Sequence, residues 1–343
     1  MAGSWLITGG TGSLGTALAK ALLSVPDYIP AKYHPDGTIS QAQIGVRRVC
    51  IFSRDELKQA QMAADLPDPR LRFFLGDVRD PGRLAQACHG IDTVVHAAAL
   101  KRVDAIAYNP SEVIKTNVLG TQNVVEAAAG AGVGRIIVVS SDKAVKPTNI
   151  YGASKFMAES AAVAANAWTH PRGTKVSAVR YGNVLGSRGS VVGIFRRQAA
   201  QGGPLRLTDP RCTRFWLTLA QAVTLIRHAA DTMQGGEIFV PRLPSMLVFD
   251  LARAVAGEGM AYETVGLRPG GEKLHETLVA AEEADRTYLD GDSGYLIAPP
   301  VQTWGKVDSW GVPVRPGFSL ESNRNDAWLT VDQMRGMLAD VQS

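Results

Sequence analysis

Short runs of consecutive apolar residues recur along the first half of the chain, and segments of helical spacing lie between several of them. Trp5-Leu6-Ile7-Thr8 reads as a buried strand and Leu14 to Leu23 as the helix that follows it. Arg48 to Phe52, Leu71 to Leu75 and Asp92 to His96 predict three further strands, and Val113 to Ala129 a helix. Arg135 to Ser140 is a fifth strand, very apolar at Ile136-Ile137-Val138-Val139. Tyr151 to Ala167 predicts a helix and Val176 to Arg180 a sixth strand. Strands that lack polar alternation and are separated by helices belong to a parallel sheet covered on both faces. The expected fold class is therefore α/β, with a Rossmann-type doubly wound parallel sheet.

After Gly182 the pattern changes. Gly, Pro and Arg become frequent, in Gly186-Ser187-Arg188-Gly189, Gly202-Gly203-Pro204 and Arg211 to Arg214. This predicts a smaller, discontinuous substrate-binding lobe. Leu219 to Asp231 reads as a helix and Glu237 to Val240 as a strand, both returning to the sheet. The expected division is a dinucleotide-binding domain over 1–182, with 219–255 returning to it. Segments 183–218 and 256–343 form the lobe and a C-terminal tail, rich in Pro, Gly and Trp from Pro299 and helical after Thr330. The stretch Pro26 to Arg47 is long for a helix-to-strand connection and reads as an ordered flap or a floppy loop.

Composition narrows the class. The 343 residues are 45% hydrophobic and include 35 glycines, which suits an α/β enzyme with many tight turns. The net charge of +4 is spread along the chain, which argues against a nucleic-acid partner and leaves open a local positive pocket. Three widely spaced cysteines, Cys50, Cys88 and Cys212, predict no disulfide framework and a cytoplasmic setting. The six histidines show no metal-ligand spacing with them, so no metal is expected. No signal-peptide order opens the chain, and no apolar stretch approaches the ~18–20 residues of a membrane helix. No membrane partner is expected.

Two motifs carry the chemistry. Gly9, Gly12 and Gly15 fall in Thr8-Gly9-Gly10-Thr11-Gly12-Ser13-Leu14-Gly15, between a strand and a helix. There the backbone turns sharply and approaches a pyrophosphate at the helix N-terminus. The second strand ends in Ser53-Arg54-Asp55-Glu56-Leu57-Lys58. A hydroxyl and a guanidinium at that point suit a 2′-phosphate, favouring NADP over NAD, whereas Asp55 taking the ribose would reverse the preference. Asp77, in Gly76-Asp77-Val78, reads as an adenine-edge contact or a turn cap. Ala97-Ala98-Ala99 leaves room for the dinucleotide, His96 reads as structural, and Asn117 as a brace for the site.

The second motif is Tyr151 and Lys155, four residues apart on one helical face. An ammonium near the phenol lowers its pKa, so that the phenolate accepts a hydroxyl proton as hydride leaves carbon. Ser141-Asp142-Lys143 adds an acid and an amine just upstream, as an elimination would need. The competing reading of Asp142 and Lys143 is a solvated salt pair.

These residues resemble the extended short-chain dehydrogenase/reductases that act on nucleotide sugars. Phe52 to Gln59, His96 to Lys101, Ser141 to Val145, Arg180-Tyr181-Gly182-Asn183-Val184, Gly186 to Val191, Thr213 to Trp216 and Gly235 to Phe239 narrow the likeness. They are similar to the inverting UDP-N-acetylglucosamine 4,6-dehydratases that start pseudaminic acid biosynthesis. The resemblance runs from about Leu6 to the Trp328-Leu329 region.

It implies an NADP-dependent lyase. Tyr151 removes the C4 hydroxyl proton as hydride moves to the cofactor. Lys143, as a neutral amine, removes the C5 proton, and protonated Asp142 donates to the departing C6 hydroxyl. Hydride returns to C6 and C5 is reprotonated on the opposite face, while Ser141 orients the substrate. The implied cofactor contacts are the glycine-loop residues Gly9, Thr11, Gly12, Ser13, Leu14 and Gly15, the strand-end residues Ser53, Arg54, Lys58, Asp77 and Val78, then Ala97, Ala98, Ala99, Lys101 and Val184, with Tyr151 and Lys155. The implied contacts to UDP-N-acetylglucosamine, or a close UDP-sugar, are Lys101, Asn183, Arg188, Arg214, Arg268 and Glu272. A homo-oligomer is also implied.

Two features depart from the family. Arg268-Pro269-Gly270-Gly271-Glu272 carries one glycine more than the usual pattern, which shifts Arg268 relative to Glu272, and the Pro26 to Arg47 segment is longer than expected. A UDP-sugar 4-epimerase would use Tyr151 and Lys155 but leave Asp142 and Lys143 without a task. An inactive NADP-binding sensor would have no use for Tyr151 and Lys155. Retaining dehydratases typically lack the tyrosine and carry a membrane region.

Overall fold

The computed structural model describes residues 3–25, 28–29, 32–33, 39–40, 43–187, 189–267, 271–301, 304, 307 and 309–340. Apolar runs and helices alternate as β1 (Gly3–Thr8), α1 (Ser13–Leu23), β2 (Val46–Ser53), α2 (Glu56–Asp65), β3 (Leu71–Leu75) and α3 (Pro81–Cys88). There follow β4 (Thr93–His96), α4 (Gly120–Gly130), β5 (Arg135–Val139), α5 (Ile150–Thr169) and β6 (Lys175–Val179). The later elements are β7 (Asn183–Val184), α6 (Val191–Ala200), β8 (Leu205–Leu207), β9 (Thr213–Leu217), α7 (Leu219–Thr232), β10 (Ile238–Pro241) and β11 (Ser245–Leu247). The chain closes with α8 (Val248–Ala256), β12 (Tyr262–Thr264), β13 (Thr277–Val279), β14 (Thr287–Asp290), β15 (Gly294–Ile297), β16 (Val312–Pro313), β17 (Leu320–Glu321) and α9 (Val331–Asp340).

Local chemistry sets the helix starts. Asp55 and Asp80 accept hydrogen bonds from the backbone N–H groups of Lys58 and Arg83, and Pro81 occupies the first turn of α3. Asn149 caps α5 by accepting from the Gly152 N–H at 2.9 Å. Thr218 and Gln221 make a reciprocal capping box on α7.

One large sheet runs β16-β14-β15-β10-β6-β5-β4-β1-β2-β3. From β3 to β10 the strands are parallel, and the remaining edge is antiparallel. This is a Rossmann-like fold. Chain order reverses between β1, which leads to β2 on one side, and β4 on the other. Such a switch opens a crevice at the carboxyl ends of the strands. Leu18 and Leu22 of α1 and Ile226 and Ala229 of α7 cover one face of the sheet, against Ile7, Ile51 and Ile137. Leu84 of α3, Val124 and Ala128 of α4 and Ala162 of α5 cover the other, against Leu6, Val94 and Ile136. A third core, including Phe195, Trp216, Leu251 and Met334, belongs to the smaller lobe.

Three segments differ from the sequence expectation. Of 219–255, α7 and β10 join the sheet, but β11 and α8 pack in the lobe. The reason is that the buried side of α8, Val248, Leu251 and Ala252, meets Phe195 and Trp216. Conversely, β14 and β15 leave the lobe and extend the sheet, covering the open backbone edge of β10. The helix expected over 113–129 is interrupted. A short turn at Pro110–Val113 passes into a π-helical stretch, Ile114–Leu119, before α4 begins. Within the long connection after α1, Tyr28–Ile29 pairs antiparallel with Gln43–Ile44 and Lys32–Tyr33 with Ile39–Ser40.

Cys50, Cys88 and Cys212 are free and buried. Among the described residues no helix is long and apolar enough to cross a membrane, and no group of His, Cys, Asp or Glu could hold a metal ion.

Arg180 ties the end of β6 to its surroundings. It is 3% exposed and forks onto Glu159 of α5 at 2.6 and 3.1 Å. It also reaches Glu283 at 2.8 and 3.0 Å and the Leu278 carbonyl at 2.9 Å. Removing one partner of such a buried set strands the others without counter-charge. Arg180→Met is expected to lower unfolding stability by about 3–5 kcal/mol in urea titration, and a loss below about 1 kcal/mol would show the cluster to be dispensable.

Candidate active site

At the crevice, β1 ends in Thr8 and the chain turns through Gly9, where the Gly12 N–H donates to the Gly9 carbonyl at 2.8 Å. Gly12 is the N-cap of α1, and no side chain caps the helix there. First-turn amides in that position receive a pyrophosphate. Ala97 donates its N–H to the Thr8 carbonyl at 3.2 Å, so the all-alanine stretch after β4 lies against the glycine turn. His96 is a structural link. Its ring nitrogens bond Thr8 Oγ1 at 2.7 Å and Thr121 Oγ1 at 3.0 Å. Burial, helped by the Lys155 charge, pushes its pKa down to about 3, so it stays neutral.

The strand-end acids are engaged by the protein. Asp55 caps α2 and pairs with the Lys58 ammonium. Asp77 accepts from the Arg79 backbone at 3.0 Å and from its guanidinium at 3.0 and 2.6 Å. Burial raises the Asp77 pKa, but the Arg79 bonds outweigh it and hold the carboxyl below the usual range. Arg54 is half-exposed, 3.5 Å from Asp77 Oδ2, and Ser53 Oγ accepts from Gln59 Nε2 at 3.0 Å. Val78 is buried and its carbonyl takes the Asn123 amide at 3.1 Å. An uncapped helix start, small residues after β4 and a rim where Asp55 is already committed together fit a dinucleotide.

The four side chains expected to react lie on two elements. Tyr151 and Lys155 lie on α5, while Asp142 and Lys143 lie on a 3₁₀ turn, Asp142–Ala144, after β5. Gly152 lets these meet: a Cβ there would sit 2.5 Å from the Lys143 carbonyl, so any other residue would push the head of α5 away. Asn117, on the π-helical stretch, accepts from the Leu100 N–H at 2.8 Å and donates to the Leu100 carbonyl at 2.9 Å. Its amide also donates to Ser154 Oγ at 3.0 Å, bracing α5 against the loop after β4. Lys155 donates to the Val139 carbonyl. Its burial lowers the ammonium pKa to about 8, with Glu159 opposing. Burial likewise pushes Tyr151 up to about 12; Lys143 lowers it, and Asp142 and Glu276 raise it.

Asp142 is wholly buried. Its Oδ1 accepts from Ser141 Oγ at 2.7 Å and Lys143 Nζ at 2.9 Å, whereas Oδ2 is buried without a hydrogen-bond partner. Burial raises the Asp142 pKa, Lys143 opposes, and Glu276 adds to the rise, which favours the protonated acid. Lys143 differs from the neutral amine expected from the sequence. Its Nζ lies between Asp142 Oδ1 and Glu276 Oε1, 3.2 Å away. Burial alone would strip its proton, but the two carboxylates outweigh it and hold the pKa above the lysine range. The side chain remains 32% exposed, so water screens part of that attraction.

Glu276 and Lys273 enter the site without a sequence forecast. Lys273 pairs with Glu276 Oε2 at 3.5 Å and donates to the Val145 carbonyl. Arg214 bonds Glu272 at 3.0 Å and approaches Glu276 at 3.9 Å, so the two expected substrate contacts, Arg214 and Glu272, hold each other at the wall of the cluster. The only signal in the chain was the charged run Glu272-Lys273-Leu274-His275-Glu276. Gly271 locks this run in place. Its carbonyl accepts from Asn149 Nδ2 at 3.1 Å and from Thr148 Oγ1, and its φ is +92°. Thus Gly271 docks the segment on the cap of α5.

Asn183 begins β7 with its Oδ1 buried and unbonded, next to Val184. Lys101 is exposed beyond the alanine stretch. Arg188 and Arg268 lie outside the described residues. A cavity of about 630 Å³ against another face of α5, walled by Phe156, Val163 and Trp304, contains none of the reacting groups.

The profile of the polysaccharide biosynthesis protein family matches residues 38–295. The chain is 40% identical over 338 residues to the UDP-N-acetylglucosamine 4,6-dehydratase (inverting) of Campylobacter jejuni subsp. jejuni serotype O:2, covering 96% of this chain and 95% of the relative. It is 39% identical over 297 residues to the UDP-glucose 4-epimerase of Rickettsia prowazekii, covering 86% and 82%. Among solved structures, Pen from Bacillus thuringiensis superposes with a TM-score of 0.85 at 30% identity, over 99% of this chain and 98% of that one. The dTDP-glucose 4,6-dehydratase from Streptomyces venezuelae, with NAD and TYD bound, gives a TM-score of 0.64 at 25% identity, over 78% and 86%.

Gly271→Ala would place a methyl group against the Thr148 carbonyl at a left-handed φ. It is expected to cost about 1–3 kcal/mol of unfolding stability, measured by denaturant titration, while dinucleotide binding at the distant glycine turn is retained. Unchanged stability would show that the segment is not locked by this glycine.

Proposed function

Because the chain belongs to the polysaccharide biosynthesis protein family, within the extended short-chain dehydrogenase/reductases, we propose that it dehydrates UDP-N-acetylglucosamine to a UDP-4-keto-6-deoxy-N-acetylhexosamine with inversion at C5. The observation that carries this reading is the buried Asp142 and its Lys143 neighbour, charge-coupled to Tyr151 within one site. Oxidation alone needs no second acid and amine.

The dinucleotide, held by the glycine turn, the alanine stretch and Lys155, supplies reversible redox between C4 and C6. We take it to be NADP. Ser53, Arg54 and Lys58 provide a hydroxyl and two cations, and Asp55 is engaged as a helix cap. Tyr151 would accept the C4 hydroxyl proton, which requires its pKa to fall from the resting value of about 12 once substrate and dinucleotide are bound. The resulting ketone acidifies C5, and Lys143 removes that proton. Asp142, protonated in its buried setting, donates to the C6 hydroxyl as it leaves as water. Ser141 holds Asp142 and orients the sugar. Asn183 offers an unbonded acceptor at the substrate side, and the family likeness adds Lys101, Arg214 and Glu272 as substrate contacts; Arg188 and Arg268, expected in the same role, lie outside the described residues.

The division into a dinucleotide-binding domain and a substrate lobe follows the same reading, with the reacting groups at their junction. A cytoplasmic homo-oligomer fits as well, since Phe156, Met157 and Trp168 leave an exposed apolar face on α5.

Turnover of UDP-N-acetylglucosamine in heavy water should give a 4-keto-6-deoxy product carrying deuterium at C5, read by NMR. Tyr151→Phe and Lys143→Ala should each lower product formation by roughly 10²-fold or more. Recovery of UDP-N-acetylgalactosamine would establish epimerisation instead, and the absence of any product with dinucleotide bound would favour a sensor. Arg54→Ala is expected to weaken NADP binding about tenfold or more by titration, the loss of a charge-assisted bond, without weakening NAD. Equal effects on both would remove the 2′-phosphate assignment.

A further inference from the structure

Two carboxylates cannot both ionise cheaply around one ammonium, and their surroundings decide which yields. Asp142 has no exposure, one buried oxygen without a partner, and Lys143 as its one ion-pair partner among the described residues. Glu276 is also buried, at 3% exposure, and its Oε2 likewise lacks a hydrogen-bond partner, but three cations approach it: Lys143 at 3.2 Å, Lys273 at 3.5 Å and Arg214 at 3.9 Å. Glu272 neutralises part of Arg214, and Tyr151 lies within the same field. The surroundings therefore favour the proton on Asp142 and the negative charge on Glu276, beside the Lys143 ammonium. That leaves a gap in the chemistry, because an ammonium cannot remove the C5 proton.

Resting on the dehydratase reading, we propose that Glu276 is a positioning residue that acts through Lys143, receiving the proton Lys143 sheds to become the C5 base and returning it towards Asp142. The bonds balance. A Lys143 N–H bond breaks and a Glu276 O–H bond forms, leaving the amine. The C5–H bond then breaks and its proton joins Lys143, while the electron pair passes into the enolate and expels the C6 oxygen. Asp142 gives its proton to that oxygen, and water departs. Asp142 is now a carboxylate, Lys143 an ammonium and Glu276 a carboxylic acid. Transfer from Lys143 to Asp142 across 2.9 Å, and from Glu276 to Lys143 across 3.2 Å, restores the starting state. The proton lost with water is replaced by the one taken from C5. The proton that re-enters C5 from the other face is supplied at the expense of the one Tyr151 took from the C4 hydroxyl, which returns the phenol to its starting state and closes the count.

The relay needs Glu276 to stay where it is. Its backbone N–H donates to Ser322 Oγ at 2.8 Å, and that hydroxyl bonds Thr213 Oγ1 at 2.6 Å. Burial raises the Glu276 pKa, but Lys143, Arg214 and Lys273 outweigh it and hold it below the usual carboxylate range, so Glu276 holds the Lys143 proton only in passing and readily returns it.

The test uses the NADP-loaded enzyme with UDP-N-acetylglucosamine. Glu276→Gln keeps the shape and removes the proton acceptor. Dehydration is expected to fall by roughly 10²–10⁴-fold, while reduced-nicotinamide absorbance still appears in a single turnover, because C4 oxidation does not call on Glu276. Glu276→Asp should recover part of the rate. In Lys273→Met, Glu276 loses a counter-ion and its pKa rises, so the acid limb of the turnover profile should move to higher pH. Wild-type rate and pH profile in Glu276→Gln, or an unmoved acid limb in Lys273→Met, would overturn the relay. The Lys273→Met measurement decides the matter where Glu276→Gln fails to fold. Failure of the wild-type enzyme to make a 4-keto-6-deoxy product would instead sink the dehydratase reading itself.

Discussion

The burial of charge around Lys143 is the constraint on which the site depends. An ammonium and two carboxyl groups sit in a region largely closed to water, where each unpaired ion would be costly. Every element that meets there brings part of the compensation. The turn after β5 brings Asp142 and Lys143, α5 brings Tyr151 and Lys155, and the segment before β13 brings Lys273 and Glu276. Such a cluster holds together only if the backbones that carry it cannot drift apart. This explains why the approaches are so close at Gly152 and Gly271, two places where a side chain would force the elements apart.

The parallel sheet provides the frame for that closeness. Its strands end together at the crevice, so loops from β1, β4, β5 and β6 point to one place. Behind α5, Arg180 joins Glu159 to Glu283 and so links the sheet, the tyrosine helix and the region leading into β14. The same helix is therefore fixed on its far side by one ionic cluster and carries the reacting groups beside another. Asn117 adds a third restraint through Ser154, and the π-helical stretch is what turns its amide towards Leu100. Rigidity of this kind suits a reaction in which several protons must move over fixed, short distances.

Much of the fold was legible in the chain because its signals are local. The apolar runs of β1 to β6 are continuous, and the predicted spans fall within a residue or two of the observed strands. The helices α2 and α3, by contrast, are short and low in mean apolarity, and their starts rest on Asp55 and Asp80 as caps. The division of 219–255 between sheet and lobe was not legible. Nothing within α8 says whether its apolar side meets a strand or Trp216, since both partners are equally apolar.

By itself the sequence determined the order of strands and helices, the glycine turn, the Tyr151–Lys155 spacing and the adjacency of Asp142 and Lys143. All of these follow from residues near one another in the chain, where backbone geometry alone sets the relation. Only the tertiary structure decided which charges share the site. Glu276 and Lys273 reach Lys143 from a distant segment, by way of a glycine docked on the cap of α5. A protonation state is fixed by burial and by the summed field of neighbours. Neither is a property of the local sequence, so the chain placed Asp142, Lys143, Tyr151 and Lys155 near one another and the fold supplied the field around them.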